Sequence, residues 1–378
     1  MDRKDSQLAS FVSLNSISGI GRKTIRYIKN QLIKNQITWS EFWVLSHDKL
    51  IKIGISDNTA LAIKNFNKEQ TMYSCYEALL EQDIWVVSES DKDYPSLLAH
   101  TEDKPLLLYG RGNKSILQKQ MIAIVGTRRI TSYGTFVAES FAREFAQFGL
   151  PVISGCMYGV DAVTQRAVLE NKGLTVGVLG YGLNVIPYSA KKLTTQIIDS
   201  GGAVVSEYAP DCEATKGTFP ERNRIIAGIA MGVIVVEAAQ KSGSHITALC
   251  ALNEGRSVFA VPGPITNPYS QGTAWLLQQG ATPITSGLEA IRLLSENYSL
   301  HKTIESQKTI TKEVIFDHQQ LSTDQMQLLR VIQSGVSTQE QLQSAQSWPI
   351  SQLLRELSNL EVFGILERRG SDWFVRST

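Results

Sequence analysis

Apolar residues recur at two different periods along this chain. From residue 1 to about 80 they return every three or four positions: Leu8, Phe11, Val12 and Leu14, then Ile25, Ile28 and Leu32, then Phe42, Leu45 and Leu50. That period predicts a helical N-terminal domain over 1–80. From about 82 to 297, short β-branched runs alternate with helical patterns. Strands are expected at 84–87, 106–109, 121–125, 151–154, 175–179, 203–206, 232–236, 257–261 and 282–285. Helical patterns fill most gaps from residue 134 onward, so the fold class is α/β with a doubly wound parallel sheet. Residues 298–320 are polar without a clear period and read as a linker.

The segment 321–378 has its own pattern. Leu328, Leu329 and Ile332 make one helix face, and Ser337-Thr338-Gln339-Glu340 reads as a capping box. A third helix is expected from about Pro349 to Val362. Strands Ile365–Arg368 and Trp373–Arg376 then turn at Gly370-Ser371. Three helices and a hairpin predict a winged helix. Its wing holds Arg368, Arg369 and Arg376, but the helix SQLLRELSNLEVFG sets one Arg against two Glu. Either DNA or a protein partner fits that surface. The N-terminal region carries a similar ambiguity. Ile17-Ser18-Gly19-Ile20-Gly21-Arg22-Lys23 resembles a helix-hairpin-helix that aims backbone amides at a phosphate. It also reads as a tight turn in a small helical (SAM-like) bundle, and Ile53-Gly54-Ile55-Ser56 echoes it.

Composition narrows the picture. A length of 378 residues allows two or three domains, and a net charge of +1 excludes a globally basic nucleic-acid binder. Any DNA affinity has to come from a local patch. Cys75, Cys156, Cys212 and Cys250 lie far apart, in no metal or disulfide pattern, and are expected as reduced, mostly buried thiols. No metal and no cofactor are expected. The polar start MDRKDSQLAS and the lack of a long apolar run predict a soluble, cytoplasmic protein with no membrane partner.

Candidate chemistry collects at strand ends. Ile122–Val125 runs into Gly126-Thr127-Arg128-Arg129, where glycine frees the backbone, hydroxyls donate and Arg128 offers a forked charge. Val152-Ile153-Ser154-Gly155 leads to Tyr158-Gly159-Val160-Asp161, and Val178-Leu179 to Gly180-Tyr181-Gly182. Val204-Val205 leads to Ser206-Glu207-Tyr208, Val236 to Glu237 and Ser242-Gly243-Ser244, and Val261 to Pro262-Gly263. Six such ends on one sheet edge predict a binding crevice, and their donors suggest phosphate. Arg222 and Arg224, at the entry of the helix begun by Phe219-Pro220, either reach a phosphate or brace the fold. A Glu207 partner would mean bracing. Asp161, Glu207 and Glu237 form an acid cluster or pair with Arg222, Arg224 and Arg256. Catalysis is not expected. No phosphate-binding Gly-x-x-x-x-Gly-Lys is present, no Ser or Cys has a His partner, and His245 reads as packed or phosphate-facing.

IVGTRR, SGCMYGVD, LGYGLNVIP, SEYAP, FPERNRIIAG, VVEAAQKSGSHITA, GRSVFAVPGP and QQGA, in this order, resemble the DprA/Smf family of DNA-processing proteins over about residues 84–295. The resemblance implies an extended Rossmann-like domain that binds single-stranded DNA. It also implies a homodimer and the loading of RecA onto strands covered by single-strand-binding protein, in natural transformation and recombination. The implied DNA pocket uses Gly126, Arg128, the Ser154-Gly155 turn and Ser242-Gly243-Ser244. Lys216 and one of Lys191 or Lys192 follow the strand, and Trp275, Leu276 and Leu277 fall where the family dimerises. Gln165 stands where the family usually has His, His245 where it has Leu, and Ala274 where it has Asn. Pro187-Tyr188 replaces a usual Tyr-Pro. These departures are expected near the pocket rim and the dimer helix. Two rivals remain. A nucleotide-processing enzyme of the lysine decarboxylase-like type needs Pro-Gly-Gly-x-Gly-Thr-x-x-Glu, where this chain has Pro262-Gly263-Pro264. A winged-helix transcription regulator is the other.

Overall fold

The computed structural model describes residues 3–69, 71, 73–240, 242–298, 300, 322–346, 348–362, 365–370 and 372–375. The chain divides into two compact units, Met1–Thr303 and Ile304–Thr378.

The first unit opens with six helices, α1 (Arg3–Ser16), α2 (Arg22–Lys34), α3 (Trp39–Val44), α4 (His47–Lys52), α5 (Asp57–Glu69) and α6 (Ser74–Glu81). Phe11, Ile25, Ile28, Phe42 and Leu50 are buried, as their spacing requires. Thr38 caps α3 through a full capping box with Glu41. These helices do not stand apart from the sheet. Their core is continuous with Leu107, Tyr109, Leu179 and Val204, so no packing boundary falls between residues 80 and 82.

A nine-stranded sheet follows, with spatial order β1-β2-β6-β5-β4-β3-β7-β8-β9. The strands are β1 (Trp85–Ser88), β2 (Leu107–Gly112), β3 (Ile122–Val125), β4 (Val152–Ser154), β5 (Thr175–Val178), β6 (Ala203–Ser206), β7 (Gly232–Val235), β8 (Ser257–Ala260) and β9 (Thr282–Pro283). All nine expected runs are strands. From β6 to β9 every pairing is parallel, whereas β1 to β2 and β2 to β6 are antiparallel, which corrects the expectation of a wholly parallel sheet. Periodicity marks a strand but not its direction.

Helices cover both faces. On one side α8 (Ser132–Phe148), α9 (Val160–Glu170) and α10 (Tyr188–Asp199) pack in series. On the other, α11 (Thr218–Ile229) packs on α12 (Gly243–Asn253), with short α7 (Ser96–Ala99) against α11. Ala123 and Val125 join the core under α11 and α12, so Ile122 and Ile124 point the other way. Helices α13 (Gln271–Gln278) and α14 (Gly287–Ser295) complete the unit. Strand order reverses between β3 and β7, the switch point at which such sheets open a crevice.

The second unit holds α15 (Thr323–Gln333), α16 (Gln339–Gln346), α17 (Ile350–Val362) and the hairpin β10 (Leu366–Arg369) and β11 (Asp372–Val375). Its core is Leu328, Leu329, Ile332, Leu342, Leu353, Leu357, Leu360, Leu366 and Trp373. The expected capping box shifts by one residue. Thr338 accepts from Gln341 N, while the Ser337 hydroxyl donates to Asp372. A complete capping box lies instead at Ser322 and Gln325. The proposed linker, apart from residues 298 and 300, lies outside the described residues, as does Arg376.

Candidate functional site

A cavity of about 630 Å3 opens at the switch point. It gathers Gly126 and Arg128 from the end of β3, Lys216 and Phe219 before and in α11, and Ser242, Gly243 and Ser244 at the start of α12. Four of the six strand-end loops thus meet there, those after β3, β4, β6 and β7. The loops after β5 and β8 do not line it.

Each wall has a local cause. Ser242 is the N-cap of α12, its hydroxyl accepting from Ser244 N at 3.3 Å and sharing a 2.8 Å hydrogen bond with the Ser244 hydroxyl. The first amides of this helix, with the positive end of its dipole, border the cavity. Asn223 ties α11 to that turn by donating to Gly243 O at 3.2 Å. The Arg128 guanidinium lies 5.6 Å from the Phe219 ring centre. Arg128 and Lys216 are exposed, and among the described residues neither pairs with a carboxylate.

Arg222 lines the cavity from beneath but is only 3 % exposed. It donates to Gly155 O at 2.8 Å, to Val178 O and to Asn223 Oδ1. Asp161 accepts from Gly155 N at 3.1 Å. Burial pushes the Asp161 carboxyl up to about 6, opposed by Arg222 and by hydrogen bonds from the Gly155 and Met157 amides. Burial works against the charge of Arg222 too, and Asp161 supports it. Above pH 6 these two charges offset each other, which leaves Arg128 and Lys216 to set the sign of the cavity.

Other expected site residues have structural work. Thr127 is buried, its amide bound to Glu237 O at 2.7 Å and its hydroxyl accepting from Arg129 N. The Ser154 hydroxyl donates to Ile124 O at 2.7 Å. Gly126 serves packing, since a Cβ there would stand 2.5 Å from Val160 and 2.8 Å from Glu237 O. Arg224 is a brace and not a cavity residue: it pairs with Glu207 and reaches Asp103 at 3.4 Å. Among the described residues Glu237 has no arginine partner and accepts instead from the Thr131 amide and hydroxyl. Lys191 and Lys192 are exposed on α10, outside the cavity lining. Sequence reasoning missed Met157, Thr215, Phe219, Asn223 and Thr247 as lining. A phenylalanine beside a helix start reads the same whether it fills a core or faces a ligand.

Further corrections concern the flanks. After Gly19-Ile20-Gly21, Arg22 pairs with Asp103 at 2.9 Å, and Arg26 and Lys29 pair with Glu89 at 3.1 Å each, whereas Lys23 is exposed. Gly19 has φ +83°, as a tight turn requires. Leu276 is 1 % exposed and belongs to the core, so it cannot form a surface patch with Trp275. Gln165, on α9, is buried against the sheet and not at the rim. It accepts from Cys156 N and donates to Thr175 and Val176 O. His245 is packed, its Nε2 3.2 Å from Gly272 O and its ring 5.3 Å from Trp275. None of the four cysteines forms a disulfide, and only Cys156 is buried.

The fold and cavity define a class: an α/β protein with a large, mostly parallel sheet and a cavity at its switch point. The family model described as DNA recombination-mediator protein A matches residues 85–295. Protein Smf of Escherichia coli is 36% identical over 272 residues, 72% of each chain. DNA processing protein DprA of Bacillus subtilis is 40% identical over 223 residues, 58% of this chain and 74% of its own length. The crystal structure of Streptococcus pneumoniae DprA superposes with a TM-score of 0.63 at 31% identity, covering 76% of this chain and 97% of that one. Helicobacter pylori DprA, described for its single-stranded DNA binding mode, gives 0.50 at 30% identity over 57% and 97%. The chain belongs to the DprA/Smf family of DNA recombination mediators.

Proposed function

We propose that the cavity takes the backbone of single-stranded DNA, and that the protein protects such strands and loads RecA onto them. One observation carries this reading. Arg128 and Lys216 face a single cavity together with the N-terminal amides of α12, at the switch point of the sheet. Phosphate oxygens go to the two cations and to the amides, and the Phe219 ring offers a face to a base. These contacts read charge and shape, so binding is indifferent to sequence. The described single-stranded DNA binding of the Helicobacter pylori relative supports the reading.

Asp161 is read as part of the frame and not as an acid catalyst, because it is held by backbone amides beside Arg222. Dimerisation, in this reading, uses the outer face of α12, where Ile246, Leu249 and Leu252 are exposed beside Trp275. Leu277 adjoins it and Leu276 supports it from the core. The second unit is read as a winged helix for protein contact, since α17 exposes Ile350 and Leu354 at helical spacing. Single-strand-binding protein and RecA are the partners this scheme requires.

The test is a salt titration of binding to single- and double-stranded oligonucleotides of equal length. The expected result is single-strand preference that weakens steeply with salt. Equal affinity for both forms sinks the proposal.

A further inference from the structure

Tyr158 stands on the loop after β4 with 62 % of its surface exposed. A single exposed ring is ordinary on a protein surface. This one is set apart by its place and by the loop that carries it. Met157, before it, lines the cavity at the switch point. Gly159, after it, packs on the loop after β3. Its φ is +80°, and a Cβ there would stand 2.1 Å from Thr127 O and 2.6 Å from Arg128 Cα. Residue 158 is thereby fixed at the rim of the cavity, beside Arg128.

The loop is held by its amides. Gly155 N donates to Asp161 at 3.1 Å, Cys156 N to Gln165 at 3.2 Å, and the Met157 amide also to Asp161. Val160 N donates to Thr127 O at 3.1 Å, and Ala162 N to Met157 O at 3.0 Å. Cys156 takes φ +54°, a left-handed conformation that persists in a non-glycine residue only where its surroundings impose it. The buried Asp161 and Gln165 thus hold an exposed aromatic ring on fixed backbone. A tyrosine so placed has few torsions left to lose on binding, so contact with it costs little entropy.

The occupant follows from the neighbours. Met157 belongs to the cavity wall and Gly159 has no side chain, so next to it in the chain the ring has no wider apolar surface of the kind a protein partner needs. It suits one flat group. A strand whose phosphate lies at Arg128 brings such a group to the rim, because an unpaired base has free faces and a paired base does not. Building on the proposed binding of single-stranded DNA, we propose that Tyr158 is a stacking platform at the mouth of the cavity, taking the face of a base next to the phosphate held by Arg128.

The test compares wild type, Tyr158→Ala and Tyr158→Phe in the full chain. Each is titrated with oligo-dT and with an abasic phosphodiester strand of equal length, which keeps the charges and removes the bases. Tyr158→Ala is expected to bind oligo-dT about fivefold more weakly, the lower end of what stacking one base contributes. On the abasic strand it should match wild type, and its salt slope should be unchanged, because no charge is lost. Tyr158→Phe keeps the ring and should bind oligo-dT as wild type does. The side chain is exposed, so both variants should keep the wild-type melting temperature. Unchanged oligo-dT affinity in Tyr158→Ala, an equal loss on the abasic strand, a reduced salt slope, or a loss in Tyr158→Phe as large as in Tyr158→Ala overturns the platform and leaves DNA binding by the cavity standing. Failure of the wild type to prefer single strands over duplex overturns both.

Discussion

Replacing Arg128 by alanine should separate binding from stability. Its side chain is exposed and buries no core surface, and its guanidinium lies 5.6 Å from the Phe219 ring centre. Loss of that cation–π contact costs about 0.5–1 kcal/mol at an exposed site, so the melting temperature should fall by only a few degrees. Binding should suffer more. A hydrogen bond to a charged group contributes about 1.5–3 kcal/mol, and the exposed position of Arg128 favours the lower end. That corresponds to roughly a tenfold loss of affinity for oligo-dT. The salt slope is the sharper readout. Each phosphate neutralised on a single strand contributes about 0.7 to the log–log slope, or about 2.6-fold between 50 and 200 mM salt. Fluorescence anisotropy with labelled oligo-dT at several salt concentrations measures both quantities. Arg128→Ala should reduce the slope by about 0.7, and Arg128→Lys should restore it while recovering only part of the affinity. An affinity loss with an unchanged slope would show that Arg128 shapes the site without touching phosphate. Unchanged affinity would remove the crevice as the DNA site.

Four further outcomes are expected. Arg222→Met orphans Gly155 O and Val178 O and leaves Asp161 without its cation; chemical denaturation should show a loss of about 3–5 kcal/mol. Gly155→Ala should lower stability by about 1–3 kcal/mol through overpacking, because its Cβ would stand 2.5 Å from both Arg222 Nη2 and Asp161 Oδ2. Arg22→Ala should weaken thermal stability through loss of Asp103, Glu207 and Glu221 while leaving oligo-dT affinity unchanged; reduced DNA affinity in a folded variant would restore the helix-hairpin-helix reading. Asp161 has its folded-state carboxyl raised from 3.8 to about 6, so the folded protein holds more protons than the unfolded chain in that window. Its contribution to stability is therefore complete below about pH 4 and lost as pH rises through 6. Urea midpoints should show the wild-type advantage over Asp161→Asn shrinking across that range.

The residues themselves determined the elements. Short apolar runs marked the strands of the sheet, and β3 to β7, buried along their whole length, are the clearest, because strands buried on both faces have few other compositions available. Polar and glycine residues at their ends marked the crevice, because chain reversals at one sheet edge must lie side by side. What the sequence left open was which of those residues faces inward. Arg128 and Arg222 are the same residue type, each just after a strand or at a helix entry, yet one is exposed and the other is 3 % exposed and holds backbone carbonyls. Arg224 offered the same choice and found Glu207, on a loop 17 residues away in sequence. The Gly19-Ile20-Gly21 turn had the spacing of a phosphate clamp, but Arg22 and Arg26 beyond it met Asp103 and Glu89 instead. Strand direction at β2 and the burial of Leu276 were likewise decided by partners distant along the chain. Local pattern records which face of an element is apolar. Only the packed structure decides which charge meets which, because electrostatic and hydrogen-bond partners are chosen in space and leave no period behind.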